Sequence, residues 1–228
     1  KFVFHYNNSL LGVTDQITGL QTGVADICNI TCSGFPGSLP LNDMLAWPFM
    51  GYANYEDAFD MHMKLLQDVP EMGAEFSDLG LRVFAGFAMP PHDLLVASDK
   101  KVQSPADIKG MKIISTKPGP SAMLEKWGGT PVAIEIPDYY MSLERGVADG
   151  LLLNLHGALA FGLVPITKQY VSFEEIGGFS VENVLYVIAE ESWNKLTPET
   201  QEIFMEEAAK QDAVSIEATM GNMTKAAE

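Results

Sequence analysis

Arginine is nearly missing from this chain. Arg82 and Arg145 are the two arginines among fourteen basic residues, set against thirty acidic ones for a net charge of −16. A surface so short of cations repels a phosphate backbone, which excludes nucleic acid as a partner. Long apolar runs are missing too, and the longest fall far short of the ~20 residues that a membrane-spanning helix requires. Cysteine is limited to Cys28 and Cys32. In one extended strand their Cα atoms would stand about 13 Å apart, beyond the roughly 7 Å that a disulfide permits, so joining them needs a turn at residues 29–31. No second cysteine pair or nearby histidine completes a metal site, and the four histidines are scattered without ligand spacing. There is no Gly-x-Gly-x-x-Gly run and no Gly-Lys-Ser/Thr loop, and neither cysteine has a neighbouring base, so the usual signatures of an enzyme are absent. No leader opens the chain. Lys1-Phe2-Val3-Phe4-His5-Tyr6 alternates like a strand already under way, which makes missing upstream residues the expectation.

What is present reads as a globular α/β protein. Hydrophobic content of 47% and charged content of 19% are ordinary for a packed chain, and 228 residues suffice for one large or two small cores. The most informative feature is a duplication. Leu20-Gln21-Thr22-Gly23-Val24-Ala25-Asp26 returns as Leu143-Glu144-Arg145-Gly146-Val147-Ala148-Asp149, with Leu, Gly, Val, Ala and Asp in the same places. The separation far exceeds the ~20–50-residue period of a solenoid. Each copy reads as a helix end, a left-handed glycine and a short apolar strand. The equivalent aspartates are expected to accept backbone N–H groups where the strand begins. The first copy runs on to Thr31 and Ser33, the second through Leu152 to Asn154. Small molecules bind beyond the carboxyl ends of strands in open α/β sheets, so two lobes built alike would form a cleft there.

The rest of the chain alternates in the same way. Strands are predicted at 1–6, 24–30, 81–87, 94–98, 111–114, 131–134 and 184–189. Helices are predicted at 15–22, from Asn54 through Leu66, one turn from Ser104 to Gly110, from Lys117 through Trp127, from Pro137, and from Thr197 onward past Ala209, with Ile203, Ala208 and Ala209 on one face. This predicts a mainly parallel sheet flanked by helices in each lobe, with a long C-terminal bracing helix. The last helix carries no stop signal, so the chain is expected to continue beyond Glu228.

The residues Leu10-Leu11-Gly12, the repeat at 20–26, Trp47-Pro48-Phe49-Met50, Ser104-Pro105-Ala106-Asp107-Ile108-Lys109-Gly110-Met111-Lys112-Ile113, Gly129-Thr130-Pro131-Val132, Asp138-Tyr139-Tyr140 and the glycine-bounded run 146–150 stand in a familiar order and spacing. Through them the chain resembles the solute-binding proteins of tripartite ATP-independent periplasmic (TRAP) transporters, over essentially its whole length. The resemblance implies a two-lobed periplasmic-binding-protein-like fold, with 1–92 and 184–228 in lobe I and 93–183 in lobe II. It also implies that the first strand and helix are missing. The implied activity is capture of a small organic solute outside the cytoplasm, in the periplasm, and delivery to membrane permease subunits, as a monomer or a homodimer. No catalytic centre and no cofactor are implied.

The departures from that family bear on the ligand. Many members carry, directly after the Lys-Ile pair, an arginine that clamps a substrate carboxylate; here that place holds Ile114. Leu94 fills a second polar position, and Leu151, Leu152 and Leu153 fill the usual amide or acid positions. The expected solute is therefore an organic acid with a sizeable apolar or aromatic part. The expected contacts are Thr31, Ser33, Trp47, Phe49, His92, Leu94, Ile114, Thr116, Leu152 and Asn154. Lys117 is a candidate substitute cation, but in a Pro-Gly-Pro loop it is read as solvated; backbone N–H groups at the helix start near Gly119–Ser121 are the other candidate for a carboxylate. An enzyme or a ligand-sensing domain on a similar two-lobed fold is the alternative.

Overall fold

Strand order in the chain is set by which segments carry a helix between them, and the computed structural model shows where that rule holds. It describes residues 2–6, 9–52, 55–173, 175, 178–211 and 214. Two units emerge. The first takes the chain up to Met44, then Phe59–Ala88, then the residues from Asn183; the second takes Leu45–Ala58 and Met89–Glu182.

In chain order the elements are α1 (Gln16–Gln21), β1 (Ile27–Thr31), α2 (Pro40–Asp43), α3 (Tyr55–Asp68), α4 (Pro70–Ser77) and β2 (Leu81–Ala88). Then come β3 (Asp93–Val96), β4 (Lys112–Ile114), α5 (Pro118–Lys126), β5 (Thr130–Val132), α6 (Tyr139–Glu144), β6 (Gly150–Leu153), α7 (Leu155–Ala160) and β7 (Gln169–Val171). The chain closes with β8 (Asn183–Ala189), α8 (Glu190–Trp193) and α9 (Pro198–Ala208). The first unit's sheet has the order β1-β8-β2, and the second unit's has the order β5-β4-β6-β3-β7.

The α/β class holds, but strand directions correct the expectation of mainly parallel sheets. β4 runs parallel to β5 and to β6, whereas β3 is antiparallel to β6 and β7, and β8 is antiparallel to β1 and β2. Parallel neighbours need a long crossover, which α5 and α6 supply. β3 and β8 arrive from extended segments instead, and each inserts antiparallel between its neighbours. All four residues of β3 are buried. Leu94 and Val96 pack with Ile113, Leu152 and Phe179. Leu95 packs with Ile114, Leu143 and Leu151. The sheet is covered on both faces, which explains the unbroken leucine runs.

Other expectations shift. Residues 2–6 pair with no strand among the described residues, and Phe2, Val3, Phe4 and Tyr6 stay exposed. Alternation marks a segment able to pair, and pairing itself needs an edge to accept it. The turn from Ser104 is a 3-10 helix, Pro105–Ile108, closed by a Ser104–Asp107 capping box. α4 was not anticipated. The 45–58 segment groups with the second unit because Phe49 packs on Trp127, Phe173 and Phe179 and its N–H donates to Phe179 O at 3.0 Å. On α9 Ile203 is exposed, and Phe204 packs against Phe84 at 4.9 Å instead. The bracing segment expected from residue 215 onward lies outside the described residues.

The duplicated segment folds as a duplicated motif. Gly23 and Gly146 have φ of 72° and 69°. In the first copy Gly23 N–H donates to Leu20 O and Val24 N–H to Gly19 O; in the second, Gly146 donates to Leu143 O and Val147 to Ser142 O. Both are Schellman closures that satisfy the last helical carbonyls. The aspartates then diverge. Asp149 accepts the Lys112 N–H at 2.9 Å and the Lys100 ammonium at 3.2 Å. Burial pushes its carboxyl up, but those two partners outweigh burial and hold it below the usual range. The Asp26 carboxylate accepts the Ser192 hydroxyl at 2.6 Å. Asp149→Ala is therefore expected to cost about 1–3 kcal/mol by stranding a strand N–H, and Asp26→Ala less than that. Urea melts of the two variants check the order.

Candidate functional site

Leu94, Ile114 and Leu152 were read as pocket wall. The structure places them in the packed interior of the second unit, at 1%, 0% and 8% exposure. This corrects that reading, and the reason is the two-faced covering of β3, β4 and β6: both side-chain directions along these strands end in core. Asn154 is also committed locally. It caps α7, its Oδ1 accepting the Gly157 N–H at 2.7 Å. Thr116 is exposed between β4 and α5.

The polar chemistry of this unit gathers elsewhere. Lys117 is the residue before α5, extended at φ −100° and ψ 133° and followed by Pro118. Its ammonium forms an ion pair with Glu182, and the pair is well shielded, with side-chain exposures of 24% and 9%. The solvated reading of Lys117 is thereby corrected. His92 bridges Ser180 across two antiparallel segments: His92 N–H donates to Ser180 O at 2.7 Å and Phe179 N–H to His92 O at 3.0 Å. Opposed residues on antiparallel strands send their side chains to one face, so the buried imidazole and the Ser180 hydroxyl share a side. Burial lowers the His92 pKa to about 4, Lys117 lowers it further and Glu182 pulls the other way. Burial, with Glu135 and Glu182, raises the Tyr139 phenol. The Ser180 Oγ is buried and has no hydrogen-bond partner among the described residues.

Of the residues expected at the site, His92 alone joins this group. Glu182 and Ser180 were missed. Their signal was polar residues punctuating the apolar run Phe179-Ser180-Val181-Glu182-Asn183-Val184-Leu185. Near Lys117, Trp47 is 52% exposed. A Cβ on Gly119 would meet its Cδ1 at 3.3 Å, so the indole lies on the start of α5. Among the described residues Phe49, with φ of 59°, is the non-glycine residue in the left-handed region, a conformation that needs strong packing to persist. The aromatic cluster around it supplies that packing.

In the first unit Thr31 ends β1 and Ser33 is buried in the turn Cys32–Gly34. Cys28 and Cys32 are not joined in a disulfide. The unit's buried polar network centres on His62 of α3. Its Nε2 lies 2.8 Å from Asn42 Oδ1 and its Nδ1 3.2 Å from Asn183 Nδ2, while Asn42 Nδ2 donates to Glu75 and to Met72 O. Burial lowers the His62 pKa to about 4. With both ring nitrogens engaged, this is a structural histidine. Among the described residues no group of three or more His, Cys, Asp or Glu is placed to hold a metal ion, and no helix is long and apolar enough to cross a membrane.

Comparison with known proteins follows the same lines. The family model for bacterial extracellular solute-binding protein, family 7, matches residues 1–227. A solute-binding protein of Roseobacter denitrificans is 28% identical over 213 residues, covering 89% of this chain and 60% of that protein. The chain therefore spans less than two thirds of that relative's length. Among solved structures, a TRAP periplasmic solute-binding protein of Chromohalobacter salexigens with bound D-glucuronate superposes with a TM-score of 0.82 at 22% identity, over 99% of this chain and 73% of that one. An extracytoplasmic solute receptor of Bordetella pertussis binding pyroglutamic acid gives 0.83 at 19% identity, over 100% and 73%.

Proposed function

Because the chain belongs to the bacterial extracellular solute-binding proteins of family 7, we propose that it is the solute receptor of a TRAP transporter, working in the periplasm and handing its ligand to membrane permease subunits. The solute is a small organic acid with a substantial apolar or aromatic part. The uronate and pyroglutamate named for the fold neighbours are organic acids. The observation that carries the reading is the shielded Lys117–Glu182 pair, with buried His92 within electrostatic reach of both, set in a unit of this fold. Sites for small molecules combine a few convergent polar groups with apolar walls. The exposed indole of Trp47 over the start of α5 supplies such a wall, now that Leu94, Ile114 and Leu152 are known to be core.

A ligand that binds the native state alone stabilises it by RT ln(1 + [L]/Kd), about 2.7 kcal/mol at a hundredfold excess over Kd. A thermal-shift screen against a few hundred metabolites is expected to return a small set of organic acids that raise the midpoint by several degrees. A screen in which no metabolite moves it would overturn the receptor reading.

A further inference from the structure

Resting on that receptor reading, we infer that the second unit recognises a zwitterionic head group, the α-amino acid pattern of a carboxylate beside an ammonium, on a solute with an apolar side chain. Lys117 takes the carboxylate and Glu182 the ammonium.

The argument starts from charge. A plain carboxylate entering this unit needs a cation, and Lys117 is the candidate: every other described lysine or arginine there is exposed. Lys100 and Lys168, moreover, are paired with Asp149 and Asp99. The start of α5 offers little help, since Pro118 and Pro120 have no N–H and the Ser121 N–H donates to Lys117 O at 2.9 Å. Lys117 is itself neutralised by Glu182, which is buried. An anion that captured Lys117 would leave the Glu182 carboxylate facing a second negative charge in a shielded place, the arrangement that like-charge repulsion and desolvation both oppose. A zwitterion escapes the conflict. The solute carboxylate replaces Glu182 on the ammonium, the solute ammonium replaces Lys117 on the carboxylate, and every charge stays paired.

A second observation points to the same place. The Ser180 Oγ, in a residue 2% exposed, has no hydrogen-bond partner among the described residues, and it shares a face with His92, which lies within electrostatic reach of both members of the pair. A buried hydroxyl without a partner is costly unless something else completes it. An ammonium and a carboxylate supply the donors and the acceptor that such a hydroxyl lacks.

The test uses matched pairs of probes in which an oxo group replaces the α-ammonium and α-hydrogen while the carboxylate and side chain are kept: leucine against 4-methyl-2-oxopentanoate, and phenylalanine against phenylpyruvate. Calorimetric titration of the unaltered protein is expected to favour the amino acid of at least one pair by about tenfold or more. Glu182→Gln should lose that preference and take the oxo acid better than the parent does. Lys117→Met should weaken both members. The inference is overturned if the oxo acids bind tighter to the unaltered protein, or if Glu182→Gln, shown folded by its melting curve, leaves the ratio unchanged. It also falls if none of the four probes binds while the metabolite screen returns net anions; zwitterionic hits in that screen would sustain it. A screen with no hits at all removes the receptor reading instead, so the two failures are distinguishable.

Discussion

Lowering the pH from 7 to 4.5 is expected to destabilise both units through one buried histidine in each. His62 in the first and His92 in the second are buried and neutral, each with its pKa lowered to about 4, against about 6.5 in the unfolded chain. Between those values the unfolded state binds more protons, so unfolding free energy falls as pH falls. Each histidine contributes a slope of about 1.4 kcal/mol per pH unit within the window. The slope fades below about pH 4, where both states are protonated. Carboxylates held below their usual range, among them Asp107 by the Gln103 and Ser104 bonds and Asp149, against its burial, by Lys112, Lys100 and Ser98, withdraw their contribution at the acid edge of that window and beneath it. Calorimetric melts at pH 7, 5.5 and 4.5 should therefore show a falling midpoint. His62→Gln and His92→Gln should each remove part of the slope while lowering the midpoint at pH 7. Midpoints that hold steady across the window would mean that the two imidazoles are not buried as described.

Ile114→Arg should strongly destabilise the second unit and not create a carboxylate clamp. In a site 0% exposed, among Leu95, Leu143 and Leu151, a guanidinium finds no acceptor, and an uncompensated buried charge costs about 3–5 kcal/mol. For a chain of this size that corresponds to roughly 10 °C in midpoint. Ile114→Val, which removes one methylene, should cost about 0.5–1.5 kcal/mol. Thermal melts of the two variants measure the contrast. An arginine variant melting within a degree or two of the parent would show that position 114 opens onto a surface after all.

That second prediction exposes what a resemblance carries across and what it does not. Read along the chain, position 114 differs from an arginine only in charge and length. In the fold its Cβ points into the cluster of Leu95, Leu143 and Leu151, and a one-dimensional match cannot show that.

The sequence by itself determined the local rules of this protein. The duplicated Gly23 and Gly146 required left-handed helix ends, and both have them. Ser104 and Asp107 required a capped turn, and Thr197 with Pro198 a helix start. These are consequences of near neighbours, so the order of residues suffices. Tertiary structure alone decided strand direction, since β3 and β8 reach their sheets through extended segments whose sense no periodicity records. It alone decided that the leucines of β3 and β6 are core. It also brought Lys117, 65 residues earlier in the chain, to Glu182 and set both beside His92. Burial makes either of these charges costly without the other, and that burial exists only in the folded chain.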